Sequence, residues 1–127
     1  MRYVTGIYLF IHGFCHLVGF VVPWKLVTMK DEPYRTTVIA GALNVGDIGI
    51  RIVGLLWLFT GLAFMASAVG VFALWTWWRP LALGLAIWSL LLCVLGLPGA
   101  KIGILANLLI LAYLFSAQLG WLPIPGR

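Results

Sequence analysis

Charge is confined to a few short gaps along this chain. Residues Tyr3–Trp24, Ile52–Trp78, Pro80–Ala100 and Ile102–Gly126 contain no Asp, Glu, Lys or Arg. A helix of about 20 mostly apolar residues crosses the roughly 30 Å hydrocarbon core of a bilayer. Each stretch reaches that length, and together they occupy most of the chain. The pattern predicts an all-α, integral membrane four-helix bundle, a single domain over residues 1–127. Spans are expected at about 4–22, 48–74, 80–97 and 102–122, with a loop at 23–47 that forms a short interfacial segment between the first two helices.

Punctuation residues support these limits. The residue before a proline is pushed out of the helical region, so Pro23 stops the first helix. Asp47 is expected to cap the second helix, where an acid also suits the positive helix end. Pro80 fits the first position of the third helix, whose N–H has no intrahelical partner anyway. Leu97-Pro98-Gly99-Ala100-Lys101 forms a turn, and Pro123 and Pro125 end the last helix. Within the loop, Val38–Val45 is apolar and glycine-interrupted, which suits a short strand pair or a cap on the bundle.

Four crossings place both termini on one side and the 25–46 loop on the other. Tyr3, Trp75, Trp77, Trp78 and Trp121 then fall at the terminal-side interface, and Trp24 and Tyr34 fall opposite, as aromatic belts require. Lys25, Lys30, Arg35, Arg51 and Lys101 lie on the loop side, against Arg2, Arg79 and Arg127 on the terminal side. The positive-inside tendency therefore points to a cytoplasmic loop.

Composition agrees with the pattern. The chain is 64% hydrophobic and 9% charged, whereas soluble domains are about 25% charged. Lipid is the solvent that accepts so apolar a surface, and any chemistry is expected in or at the bilayer. The first span lacks a small-residue cleavage site and reads as retained rather than as a signal peptide. The net charge of +5 is scattered over loops and helix ends. That distribution fits anionic lipid headgroups and excludes nucleic acid as a partner. Cys15 and Cys93 form no C-x-x-C pair and read first as packing residues.

Small residues mark packing faces, because lipid-solvated helices associate by close backbone approach. Gly54, Gly61 and Ala68 make one stripe, which fits packing within the bundle or between copies in a homo-oligomer. Ala82, Ala86, Ser89, Cys93 and Gly96 make another. Polar residues inside spans are rare and point to function. Tyr8, His12, Cys15, His16 and Gly19 share one face of the first helix. Asn44, Asp47 and Arg51 align at the start of the second, and Asn107 and Gln118 share an azimuth on the fourth. At about 1.5 Å rise per residue, His16, Asp47, Arg51, Cys93 and Asn107 fall roughly 5–10 Å beneath the loop-side boundary, with His12 a turn deeper. These six residues are the candidate ligand-binding layer.

Three chemistries fit the layer. An i,i+4 ion pair of Asp47 with Arg51 would anchor a helix end. On that basis Arg51→Ala should destabilise the protein more than Arg79→Ala. His12, Cys15 and His16 are candidate donors for a soft metal, but need further ligands. A quinone-like or lipid-like molecule would place its head against His16, Arg51 and Asn107 with its tail between helices. No cofactor follows from the sequence, and neither a visible chromophore nor a stoichiometric metal is expected.

The strings His12-Gly13-Phe14-Cys15-His16 and Asn44-Val45-Gly46-Asp47-Ile48-Gly49-Ile50-Arg51 are distinctive but point to no established activity, and in length, span count and hydropathy alone the chain resembles small DoxX-like bacterial membrane proteins. The resemblance implies a bacterial inner-membrane location and, through quinone-linked oxidoreductases, a redox or accessory role within a larger membrane complex. Small multidrug transporters resemble it less, because their first helix carries a glutamate. The leading expectation is an accessory subunit or a binder of a hydrophobic small molecule. The alternative is a small redox enzyme in which His16 donates a proton, Asp47 orients it and Arg51 stabilises negative charge.

Overall fold

The computed structural model describes residues 1–126, so Arg127, counted above on the terminal side, lies outside the described residues. The chain folds as α1 (Arg2–His16), α2 (Val18–Val21), β1 (Thr37–Val38), β2 (Leu43–Asn44), α3 (Gly46–Phe72), α4 (Trp78–Leu95) and α5 (Lys101–Gln118). Arg2–Val21, α3, α4 and α5 are each long and apolar enough to cross a membrane. The all-α, four-helix plan is therefore present.

The boundaries differ from expectation for local reasons. The first span is not one uninterrupted helix. Leu17 N–H bonds Phe14 O and Phe20 N–H bonds Leu17 O, each at 3.0 Å, and such three-residue bonds tighten the turn. The tight turn falls between Gly13, which meets the backbone of Gly61, and Gly19, which meets the ring of Trp57. Asp47 is not the cap of α3: Val45 holds that position, and Asn44 Oδ1 accepts the Gly46 N–H at 3.0 Å. Pro80 sits third in α4 rather than first, still among the positions whose N–H has no intrahelical acceptor. α5 stops at Gln118 because Gly120 adopts φ 80°. Trp121 N–H then bonds Ser116 O at 2.9 Å and Gly120 N–H bonds Ala117 O at 3.1 Å, the paired bonds of a Schellman motif.

The helices follow each other around the bundle in the order α1, α3, α4, α5. The Gly54/Gly61/Ala68 stripe is buried inside it. Gly61 faces Gly13 so closely that a Cβ on either would stand 2.6 Å from the other's carbonyl oxygen. Ala82, Ala86, Ser89 and Cys93 form the buried face of α4. Leu9, Phe64, Val71, Trp78, Ile110 and Leu114 fill the core between these faces. Trp78 is thus a core residue at 0% exposure rather than part of the interfacial belt. Trp75, Trp77 and Trp121 do stay exposed. The outward faces carry large apolar side chains such as Phe10, Phe59, Ile87 and Phe115, as a lipid-facing surface allows.

The ring of helices is loosest between α1 and α5, which approach each other less closely than the other neighbours. Side chains bridge this seam instead: Tyr8 Oη donates to Ala106 O at 2.9 Å and Thr5 Oγ1 donates to Tyr113 Oη at 3.3 Å. On the loop side, the β1–β2 hairpin covers the end of α4. Ile39 N–H bonds Leu95 O at 3.0 Å and Ala40 N–H bonds Leu97 O at 3.1 Å. The first of these satisfies a carbonyl that the helix end leaves unpaired, the second one in the turn that follows, and Val38 of β1 is buried.

Candidate functional site

Four of the six expected site residues meet in one buried cluster. His12 and His16 project from successive turns of α1. Cys93 and Ser89 come from the small-residue face of α4, and Asn107 comes from α5. Asn107 is fully buried and acts as the hub. Its Nδ2 lies 2.8 Å from Ser89 Oγ, 2.9 Å from Gly103 O and 3.7 Å from Cys93 Sγ. Its Oδ1 lies 3.0 Å from His12 Nε2. His16 Nδ1 lies 2.8 Å from His12 O, and His16 Nε2 lies 2.7 Å from Ser89 Oγ.

Donor and acceptor roles follow from the groups that have only one role. The carbonyl of His12 only accepts, so His16 Nδ1–H donates to it. With the Asn107 amide donating to Ser89 and Gly103, its oxygen accepts the His12 Nε2–H. Ser89, which accepts from Asn107, donates its hydroxyl proton to His16 Nε2. Every bond closes with both imidazoles neutral. Such closure matters in a bilayer, where an unpaired buried polar group has no water to turn to. The rings pack against apolar neighbours: His12 lies edge-on to Phe64 with centroids 4.7 Å apart, and His16 lies 5.1 Å from Trp57.

Beside this cluster, a cavity of about 520 Å³ opens between α1 and α5 on the loop side. Tyr8, His12 and His16 form its polar wall, Trp57 and Gly103 lie within it, and Cys15 stands at its exposed edge. The remaining wall is largely apolar, with Glu32 and Arg35 of the loop as its charged members. These two pair at 3.8 Å. The cavity lies along the loosest helix seam.

Asp47 and Arg51 are not part of this layer. Both are exposed at the start of α3. The only ion pair among the described residues is Arg35 with Glu32, so the expected Asp47–Arg51 pair is not formed. Each is engaged by the loop instead. Tyr34 donates its hydroxyl to Asp47 Oδ1, and the hydrogen-bonded carboxylate pushes the Tyr34 phenol above its ordinary range. Arg51 stacks over Trp24 at 5.7 Å, and Trp24 Nε1 donates to Arg51 O at 3.0 Å. The geometry removes the version of the redox reading in which Asp47 orients His16 and Arg51 stabilises charge. Gln118 is exposed while Asn107 is buried, so their shared azimuth does not make a shared site.

The arginine comparison reverses as a consequence. Arg79 Nη2 donates to Pro125 O at 3.0 Å in a half-buried position, tying the C-terminal segment to the start of α4. Its Nε–H is sealed without an acceptor, which trims the gain. Arg79→Ala is expected to lower stability by about 1 kcal/mol, and Arg51→Ala by less than about 0.5 kcal/mol. Denaturant titration of both variants in one mixed micelle reads the difference, and the opposite order would refute this assignment.

His12, Cys15 and His16 do not combine as a metal-ligand set. Both ring nitrogens of His16 and Nε2 of His12 are already hydrogen-bonded, and no group of three metal-ligating side chains occurs among the described residues. Sequence reasoning missed two members of the site. Trp57 looked like one more apolar residue of a long span, and Gly103 gave no signal because its value lies in contact with Cys93. Ser89, expected on the small-residue face beside Cys93 but not among the six site residues, is a central hydrogen-bonding partner. The chain matches no family profile, no curated relative and no solved structure.

Proposed function

We propose that this is a non-catalytic membrane protein that binds a lipid-like or quinone-like molecule in the cavity between α1 and α5, either alone or as an accessory subunit of a larger complex. One observation carries the reading: an apolar recess of about 520 Å³ ends on hydrogen-bonding side chains held rigid by a closed network. Ligand sites are mostly apolar hollows with a few placed polar groups. The loose α1–α5 seam supplies entry from the membrane. A bacterial inner-membrane location, the loop facing the cytoplasm and the DoxX-like resemblance belong to the same proposal, supported by span count and the distribution of Lys and Arg. The redox-enzyme alternative would rest on the His16–Ser89 pair alone, and the cavity reading is preferred because it uses the whole wall.

Mass spectrometry of molecules extracted from the purified protein tests this. One apolar species is expected to accompany the chain. Cys15→Phe, which places a ring at the exposed edge of the cavity, should reduce its recovery about tenfold, the equivalent of 1.4 kcal/mol, while leaving the melting temperature nearly unchanged. Equal recovery from both proteins would overturn the cavity as the binding site.

A further inference from the structure

The hydrogen-bond inventory of the wall narrows the chemistry of the occupant. Three polar groups on cavity-lining residues keep hydrogen-bonding capacity that no protein atom uses. The Nε2–H of His12 is committed to Asn107, which leaves Nδ1 as a bare acceptor. Tyr8 donates its only hydroxyl proton to Ala106 O, which leaves lone pairs on the phenol oxygen. The indole N–H of Trp57, whose ring lies between Gly19 and Gly96, makes no hydrogen bond among the described residues. The wall therefore offers two acceptors and one neutral donor. Its only ionised members, Glu32 and Arg35, belong to the loop and pair with each other.

Resting on the reading of this cavity as a ligand site, we propose that the polar group of the occupant is a neutral hydroxyl: the ligand is an apolar alcohol. A hydroxyl both donates and accepts, so one oxygen serves His12 Nδ1 or Tyr8 Oη while receiving the Trp57 N–H. A carbonyl head offers no proton and leaves both acceptors unpaired. A carboxylate or phosphate in the helical part of the wall faces two acceptors and no cation, and an ammonium finds no anion there. An uncompensated charge at this depth is strongly disfavoured. This separates the lipid-like from the quinone-like occupant in favour of the former, where it bears a free hydroxyl.

The test uses the full chain in phosphatidylcholine nanodiscs and radiolabelled twelve-carbon probes, with empty nanodiscs correcting for partition. The probes are 1-dodecanol, 2-dodecanone, dodecanoate and dodecylamine. 1-Dodecanol should bind saturably, one per chain, about tenfold more tightly than the others, the value of one hydrogen bond of 1.4 kcal/mol. His12→Phe should bring dodecanol down to the ketone's affinity without altering the ketone. Where His12→Phe fails to fold, Trp57→Phe, which keeps the ring and loses the N–H, should weaken 1-dodecanol and 2-dodecanone alike, because both oxygens accept that proton, and unequal losses would overturn the assignment. Equal saturable binding of all four, lost in Cys15→Phe, would overturn the hydroxyl assignment and leave the ligand site standing. Tighter binding of an ionised probe or of the ketone would do the same. Absence of saturable binding by every probe would overturn both.

Discussion

Gly61→Val should destabilise the bundle more than any other single change considered, by about 3 kcal/mol, the upper end of typical overpacking effects. The reason is geometric. A Cβ at Gly61 stands 2.6 Å from the carbonyl oxygen of Gly13, and the reciprocal distance is also 2.6 Å. Backbone faces backbone, so no side chain can rotate aside and α1 must move off α3. That movement would also pull His12 and His16 from Asn107 and Ser89, since both histidines ride on α1. Gly13→Ala should act in the same direction. Gly84→Ala is the control: nothing lies within 4 Å of its added methyl. Alanine outranks glycine in a helix by up to about 1 kcal/mol, so this variant should be neutral or slightly stabilised. Denaturation of the variants in one lipid–detergent mixture decides, and a Gly61→Val protein as stable as Gly84→Ala would show that α1 and α3 do not meet here.

Asn107→Leu should have the second largest effect, about 2 kcal/mol. Interhelical hydrogen bonds in membranes average only about 0.6 kcal/mol each, so loss of bonds alone gives a modest figure. The larger part comes from what is left behind. The Nε2–H of His12 loses its acceptor in a buried place, and a stranded donor costs about 1–3 kcal/mol. Leucine must also fit where Asn107 is completely enclosed. Gln118→Leu, on the exposed surface of the same helix, should change stability by less than about 0.5 kcal/mol. A double-mutant cycle isolates the cause. Adding His12→Phe to Asn107→Leu removes the stranded donor, so the pair together should cost less than the sum of the two singles. Strict additivity would mean that His12 and Asn107 are not coupled, and the hub role would fall.

The legible part of the site came from depth and face. Counting turns inward from prolines and loop cations puts His16, Cys93 and Asn107 at one depth and His12 a turn deeper on the same face as His16, because helical rise is fixed by the backbone and does not depend on partners. Asp47 and Arg51 passed the same count and failed, because depth near a helix start does not say whether a side chain turns into the bundle or out to the interface. In the fold they answer to Tyr34 and Trp24, loop residues whose positions no periodicity encodes. Trp78 failed for the related reason that a tryptophan near a helix end satisfies an interfacial belt and a core equally well until its neighbours are known.

What the chain determined alone is its solvent and its helices. Long uncharged stretches can satisfy their backbone polar groups in hydrocarbon only by closing hydrogen bonds within themselves, so span number and approximate limits follow from local sequence. The small-residue stripes likewise announced that helices would approach closely. Tertiary structure decided which stripe meets which, and with that the site. Gly13 against Gly61 fixes α1 on α3, the loose seam between α1 and α5 leaves the cavity, and only this arrangement brings Ser89, Asn107 and two histidines of one helix within hydrogen-bonding distance. Such contacts join residues as far apart as His12 and Asn107, and their geometry depends on helix rotation, which a hydropathy pattern leaves free when most faces are apolar.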